Sequence, residues 1–235
     1  MKQIIMLIAL FGAIEASAAP KLIFMEGYNF NVDLCAAGDQ HGLPARAAAL
    51  EAIKILEKDW FDHGQVFLEE TERLLNVSFG RAEVTFSYHV CPTSADTWAP
   101  PSIQMAPLLS VLANQKQSKT DLNQTLVLMR DTIWHELLHG YIHDYFFDVE
   151  SPITPLQKAN WGLPTGGFLH LHLFGIQQTI YKKLNRLEDA KALRAYYERY
   201  LPEYFAGWNA VADQRPEGFV KELIDYHSSH LKQGL

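Results

Sequence analysis

Two histidines and one glutamate near the middle of the chain have the residue types and the spacing for metal-assisted hydrolysis. His135, Glu136 and His139 form the pattern His-Glu-Leu-Leu-His. On an α-helix, residues four apart share one face, so both imidazoles can reach a single metal ion. The Glu136 carboxylate projects beside them and can take a proton from a water molecule whose pKa zinc lowers to about 7. The spacing therefore predicts a zinc site with Glu136 as its general base.

This motif requires a buried helix, and the surrounding sequence predicts one. Apolar residues recur around the motif at intervals of three and four, which is typical of a helix packed into a core. Asp121 is a suitable N-cap, so we expect the helix to run from there to about Phe146. The competing interpretation is that the motif arose by chance and that both histidines only form hydrogen bonds within the protein. The apolar flanking positions are Leu126, Leu128, Met129, Ile133, Trp134, Leu137, Leu138, Tyr141 and Ile142.

The motif in its helical context resembles that of the zincin metallopeptidases, a likeness of five residues and their flanks. The resemblance implies an α+β fold with a small N-terminal mixed sheet, an active-site helix and an all-helical C-terminal part. It also implies Zn²⁺ as the cofactor and a peptide or protein as the substrate. In zincins an edge strand above the active-site helix binds extended substrate, which makes residues 103–106 a candidate for that strand.

A catalytic zinc has three protein ligands and keeps one position for water, so one more ligand is needed. His143 lies eight residues after His135, about 12 Å along an unbroken helix, so these two residues cannot share an ion. In metzincins the third ligand is a histidine, and the corresponding position here is Tyr145. In thermolysin-type enzymes the third ligand is a glutamate, but residues 151–187 contain no acidic residue, and Glu188 is distant. His143 and Tyr145 offer instead hydrogen-bond donors that could steady the oxyanion of a tetrahedral intermediate.

Two further histidines, His170 and His172, lie near the start of the next predicted helix. On a helical wheel His170 falls among apolar residues, whereas His172 falls beside Thr179 and Lys183, so His170 is the predicted third ligand. If the segment begins as an extended strand, both imidazoles share a face and the wheel cannot rank them. His172 and the distant Glu188 therefore stay open as alternatives, as does a core histidine that binds no metal.

Residues 1–18 have the pattern of a secretory signal peptide, with Lys2 before an apolar run and small residues at the expected cleavage site. The run is too short to span about 30 Å of hydrocarbon, so we expect no stable membrane anchor after cleavage. The protein is then exported, to the periplasm or the medium. Residues 19–235 are expected to form a single domain, with one candidate crease at residues 151–167.

An exported chain with two cysteines most simply forms one disulfide, here between Cys35 and Cys91. Two free buried thiols are the alternative. Lysine and arginine total 20 against 27 aspartates and glutamates, a formal net charge of −7. This acidic balance, without a basic cluster, argues against nucleic acid or an anionic membrane surface as a partner.

The remaining sequence predicts strands early in the chain and helices late. Residues 21–32 are strand-like, and residues 81–90 alternate as a half-exposed strand does. Residues 45–75 predict one long helix, or two that meet near Gly64. Residues 102–112 suit an edge strand or a short helix. The C-terminal helices are expected at residues 165–185, 188–206 and 216–230.

The interpretation that follows is an exported, zinc-dependent, peptidase-like hydrolase. His135, His139 and His170 would hold the ion, and Glu136 would be the base. The rival interpretation is a zincin-shaped metal-binding or structural protein that cleaves no peptide, because a motif and a fold do not by themselves imply activity.

Overall fold

A computed structural model describes most of the chain downstream of the predicted signal peptide. That peptide and the predicted Cys35–Cys91 disulfide lie outside the described residues. The described residues are 20–26, 43–89, 101–113, 119–146 and 153–231.

The described strands form one three-stranded parallel sheet in the order β1-β2-β3. The expectation of a mixed sheet is therefore wrong for the described strands. A helical segment joins β1 to β2, and such a long crossover lets consecutive strands run in the same direction. The alternation predicted for β2 is observed, since Val84, Phe86 and Tyr88 point into the core. The strands are β1 (Lys21–Glu26), β2 (Glu83–His89) and β3 (Ser102–Gln104).

The described helical part of the crossover between β1 and β2 is one continuous run with a change of winding in its middle. The run consists of α1 (Leu43–Asp59), a π-helical segment (Trp60–Gly64) and α2 (Gln65–Leu75). The sequence predicted either one long helix or two helices that meet near Gly64. In the structure, Gly64 is the last residue of the π-helical segment. Asp59 at the end of α1 accepts two hydrogen bonds from Arg130, at 3.0 and 3.1 Å. Both partners of this ion pair are buried, so removing Arg130 would leave the Asp59 carboxyl group in the core without its partner.

The rest of the described chain is helical apart from β3. The helix that carries the motif was predicted from residue 121 to 146, and the structure confirms it with nearly the same bounds. The helices are α3 (Ala106–Ala113), α4 (Lys119–Tyr145), α5 (Pro155–Ala159), α6 (Thr165–Leu169), α7 (Leu171–Lys183), α8 (Leu187–Tyr200), α9 (Pro202–Asp213) and α10 (Pro216–Leu231).

Two of the predicted C-terminal helices are each divided in the structure. The one expected at residues 165–185 breaks at His170, which has φ −100° and ψ 4°. The one expected at residues 188–206 breaks at Leu201, because Pro202 has no N–H to continue the hydrogen-bond ladder and its ring disfavours helical geometry in the preceding residue. Both breaks lie at the candidate site described below.

The core is one cluster that joins the sheet, α4 and the C-terminal helices. Trp134 on α4 lies at its centre, packed against Phe67 and Tyr181 at ring centroid separations of 4.8 and 5.6 Å. Its indole N–H donates to the Thr71 hydroxyl at 3.2 Å, so the buried polar atom is satisfied. The described chain is thus an α+β fold, mostly helical, with a small parallel sheet. Of the described helices, none has the length and apolar content needed to cross a bilayer.

Candidate metal centre

Three histidines from two parts of the chain meet at one point. His135 and His139 lie one turn apart on α4, and His170 lies at the junction of α6 and α7. The Nε2 atoms of His135 and His139 are 3.2 Å apart, and those of His139 and His170 are 3.0 Å apart. Among the described residues, these three form the group of potential ligands whose ligating atoms all lie within 4.8 Å of one another.

The separations of these nitrogens suit a small divalent ion. In a tetrahedral zinc site with Zn–N bonds of 2.0–2.1 Å, two ligating nitrogens are roughly 3.3 Å apart. The two measured separations are within a few tenths of an ångström of that value. Three imidazoles are also a donor set that zinc uses in catalytic sites. The three residues therefore fit a zinc ion by distance and by chemistry.

The orientation of His170 is fixed from behind by the backbone. Its Nδ1 lies 2.6 Å from the carbonyl oxygen of Gly166. A carbonyl only accepts, so Nδ1 carries the proton and Nε2 keeps its lone pair for the site. An outer hydrogen bond of this kind usually holds a metal-binding histidine in place. Gly166 is held in turn, because its N–H donates to the Glu203 carboxylate at 2.8 Å.

A buried polar cluster lies behind His135. Gln177 Nε2 and the Tyr181 hydroxyl both donate to Asp131 Oδ1, at 2.9 and 2.6 Å. The Gln177 side chain also adjoins the His135 ring, where its interaction opposes the lowering of the His135 pKa by burial and by the two neighbouring histidines. Gln177 Oε1 and His135 Nδ1 are both buried, and neither forms a hydrogen bond in the described chain. A hydrogen bond between these two atoms would orient the His135 ring as Gly166 orients His170.

Burial and mutual proximity keep the three imidazoles neutral. Burial lowers the pKa of His139 to about 3, with a further contribution from His170. Burial lowers the pKa of His170 as well, although its bond to Gly166 opposes the shift. The pKa of His135 is well below its ordinary value, first because of burial and then because His139 and His170 lie beside it. A metal ion needs unprotonated imidazoles, so these shifts favour metal binding at neutral pH.

Glu136 is buried beside the histidines and faces a cavity of about 480 Å³. His135 also lines the cavity, so the metal centre opens onto it. A volume of this size is within the range of pockets that bury small ligands, about 300–1,000 Å³. Four tyrosines from α8 and α9 form much of the opposite wall, and they are Tyr196, Tyr197, Tyr200 and Tyr204.

Tyr204 is the functional candidate that the sequence analysis missed. Its ring lies 4.3 Å from that of His170 and 5.8 Å from that of His135, measured between centroids. Burial, followed by the nearby charge of Glu136, raises the pKa of Tyr204 to about 12, so its hydroxyl stays protonated and can donate. Pro202 is the feature of the sequence that could have indicated Tyr204. The helix break at Pro202 turns α9 back, so that the ring centroids of Tyr204 and Tyr197 are 5.5 Å apart.

The other residues considered from the sequence lie elsewhere. His172 points to α10, where its Nε2 is 2.6 Å from Glu222 Oε2. Glu188 is exposed and pairs with a neighbouring lysine. The two proposed oxyanion donors do not line the cavity: His143 is exposed beside Asp144, and the Tyr145 hydroxyl donates to a backbone carbonyl of residue 79 at 3.1 Å.

No protein-family model, curated protein or solved structure matches the chain. The three-histidine centre beside Glu136 is therefore characterised by its own residues and their geometry.

Proposed function

We propose that this protein is an exported, zinc-dependent, peptidase-like hydrolase with a zincin-like arrangement of its active site. One observation supports the proposal above all: the ligating nitrogens of His135, His139 and His170 converge beside the buried Glu136 at the wall of a cavity. A structural zinc site is usually closed by four protein ligands, whereas a catalytic one keeps a position open. Among the described residues the group has three members, and one of its sides faces the cavity.

The residues of the chain divide the chemistry between them. Zinc, when bound, supplies a Lewis acid that lowers the pKa of water to about 7 and polarises a carbonyl. The Glu136 carboxylate takes a proton from the attacking water and passes it to the leaving nitrogen. His135, His139 and His170 would hold the ion, and the backbone of Gly166 orients the last of them.

Tyr204 supports the same reaction from the other side of the site. Its ring adjoins the His170 ring, and the residue lines the cavity in which a substrate carbonyl would lie. A hydroxyl there can donate to the oxygen on which negative charge develops as water attacks. We assign this donor role to Tyr204 in place of His143 and Tyr145, which do not line the cavity.

The decisive experiment compares metal content and turnover in two variants. The Glu136→Gln protein should retain one zinc per chain, measured by elemental analysis, because the three imidazoles are unchanged. It should lose hydrolysis of an unfolded protein substrate by several orders of magnitude, because the amide cannot accept the proton. Glu188→Gln is the matched control, since that carboxylate is exposed, and it should keep both properties.

The outcomes separate the two interpretations. Zinc in the wild type without any hydrolysis would favour the rival, a metal-binding or structural protein. Turnover by Glu136→Gln equal to that of the wild type would contradict the role of Glu136 as the base.

A further inference from the structure

The cavity beside the metal centre has an inner and an outer part, both built from tyrosines. We call it the tyrosine cavity and define it by Tyr196, Tyr197, Tyr200 and Tyr204. Tyr197 is almost fully buried at 4% exposure, whereas Tyr196 and Tyr200 are 37% and 55% exposed and form the rim. The two rim rings pack on each other, with centroids 5.1 Å apart. This arrangement gives the cavity aromatic walls from its mouth to the metal centre.

The rest of the lining is mostly apolar, and its polar members are His135, the acidic residues Asp131 and Glu136, and the neutral residues Gln104, Thr125 and Thr132. Ile103, Leu128 and Met129 contribute apolar surface from β3 and α4, and Leu193 adds to it from α8. None of the described residues that line the cavity is a lysine or an arginine. Apolar and aromatic walls of this kind gain free energy by removing the apolar surface of a ligand from water.

We propose that the tyrosine cavity is the specificity pocket of this hydrolase and accepts a bulky uncharged side chain, aromatic or aliphatic, from a peptide substrate. The inference rests on the proposed function and adds to it the class of substrate. The bound side chain belongs to a residue next to the cleaved bond, because His135 and Glu136 form part of the same wall.

The charges of the lining exclude the other classes of side chain. An acidic side chain would enter beside Glu136, and the described lining has no lysine or arginine to pair with it, so its charge would be costly to bury. A basic side chain would pair with the Glu136 carboxylate and so oppose its proton uptake, which makes such binding unproductive. In Glu136→Gln this carboxylate is absent, so a lysine side chain would be buried there without that partner. Asp131 is already engaged, since its Oδ1 accepts from Gln177 and Tyr181.

The test uses the zinc-loaded Glu136→Gln protein, so that binding is measured without cleavage. The probes are blocked alanine-rich pentapeptides that differ only in a central phenylalanine, leucine, glycine, lysine or glutamate, titrated by calorimetry. We expect the phenylalanine and leucine peptides to bind about 10-fold more tightly than the other three, or better. Equal affinity for all five peptides, or tighter binding of the lysine or glutamate peptide, would overturn the proposal.

A second pair of variants tests the location of the preference. In the same background, Tyr196→Lys with Tyr200→Lys changes two partly exposed rim residues, which should leave the fold intact. It should weaken binding of the phenylalanine peptide at least fivefold and strengthen binding of the glutamate peptide. Phe61→Lys is the control, because Phe61 is an aromatic residue that is 70% exposed and does not line the cavity. This variant should bind all five peptides as the Glu136→Gln protein does. An unchanged preference in the double variant would overturn the assignment to this cavity.

The pocket and the hydrolase assignment can be refuted independently of each other. If wild-type protein binds zinc and cleaves nothing while the phenylalanine preference persists, the pocket stands and the hydrolase assignment fails. If wild-type protein cleaves all five peptides at the same rate and the Glu136→Gln protein binds them equally, the hydrolase stands and the pocket fails.

Discussion

His170 donates the proton on its Nδ1 to the carbonyl oxygen of Gly166, four residues earlier, across 2.6 Å. A neutral imidazole has one donor and one acceptor, so this bond leaves the Nε2 lone pair free. That lone pair lies 3.0 Å from His139 Nε2, in a buried place where a protonated ring is disfavoured. The bond to Gly166 therefore prepares His170 for a cation between the two rings.

The first prediction is that His170→Ala loses zinc while His172→Ala retains it. Removing an outer partner of a metal ligand costs 10- to 100-fold in affinity, roughly, and removing a ligand should cost at least as much. His172 is the matched control, because it is equally buried but bonds to Glu222 on α10. Competition with a chromogenic chelator would measure both affinities. Equal zinc binding by wild type and His170→Ala, with loss in Glu188→Ala, would mean that a distant glutamate completes the site.

The prediction of His170 from the helical wheel was correct in its ranking of the two histidines but not in the local backbone structure that it assumed. The helical wheel assumed one helix over residues 165–185, but the structure breaks at His170. The wheel still ranked His170 and His172 in a way that matches their placement, because His172 to Lys183 do form one helix. The hydrogen bond from His170 to Gly166 depends on a turn that the wheel does not describe.

The features that the sequence analysis missed depend on contacts between distant elements. The 3.6-residue period predicted α4 and the alternation predicted β2, since both patterns arise within one element. The parallel direction of the sheet depends on how the helical crossover returns the chain, which no local pattern records. Tyr204 reaches the histidines only because α9 turns at Pro202 and then packs on α6.

The second prediction concerns the contact between α6 and α9, where two glycines let the backbones touch. A Cβ added at Gly167 would lie 2.4 Å from the Glu203 carbonyl oxygen and 2.9 Å from the Gly207 nitrogen. Gly167→Ala must therefore push α9 away, and we expect it to destabilise the protein by about 1–3 kcal/mol. It should also lower zinc affinity, because Gly166 and His170 adjoin the contact.

Gly218→Ala is the control for that substitution. Gly218 lies in α10, and an added Cβ would meet nothing within 4 Å. Alanine there should leave zinc affinity unchanged and stabilise the protein by up to about 1 kcal/mol, since alanine favours the helix. Urea unfolding followed by circular dichroism would measure both variants. A Gly167→Ala protein as stable as the wild type would contradict the close packing of the two helices.

The third prediction is that His135, His139 and His170 titrate below the ordinary histidine range in the folded, metal-free protein. Burial lowers the pKa of all three, and that of His139 to about 3. Unfolded histidines take up protons near pH 6.5, whereas these do so only at lower pH. Their contribution to the free energy of unfolding is thus present above pH 6.5 and is lost as the pH falls.

Ring-proton NMR signals of the three histidines would check this directly. In the folded state all three midpoints should lie below 6.5, with that of His139 near 3, and in urea they should return to about 6.5. Zinc affinity should then fall less between pH 7 and pH 5 than it does for exposed histidines, because protons compete less for the ligating nitrogens. Midpoints near 6.5 in the folded protein would show that the three rings are not buried together.

The last prediction is that Tyr204→Phe slows hydrolysis without loss of zinc. The substitution keeps the ring that packs on His170 at 4.3 Å, so the three imidazoles should stay in place. It removes the one hydroxyl that we assign to the developing oxyanion, and loss of such a donor lowers kcat by about 10²- to 10³-fold. KM should change little, because the donor acts on charge that forms only in the transition state. Tyr145→Phe is the matched control, since that hydroxyl bonds to a backbone carbonyl outside the cavity and its loss should leave kcat unchanged. If Tyr204→Phe lost zinc together with activity, the hydroxyl would be a structural support of the histidines, and if its kcat equalled that of the wild type, the oxyanion would be stabilised by another group.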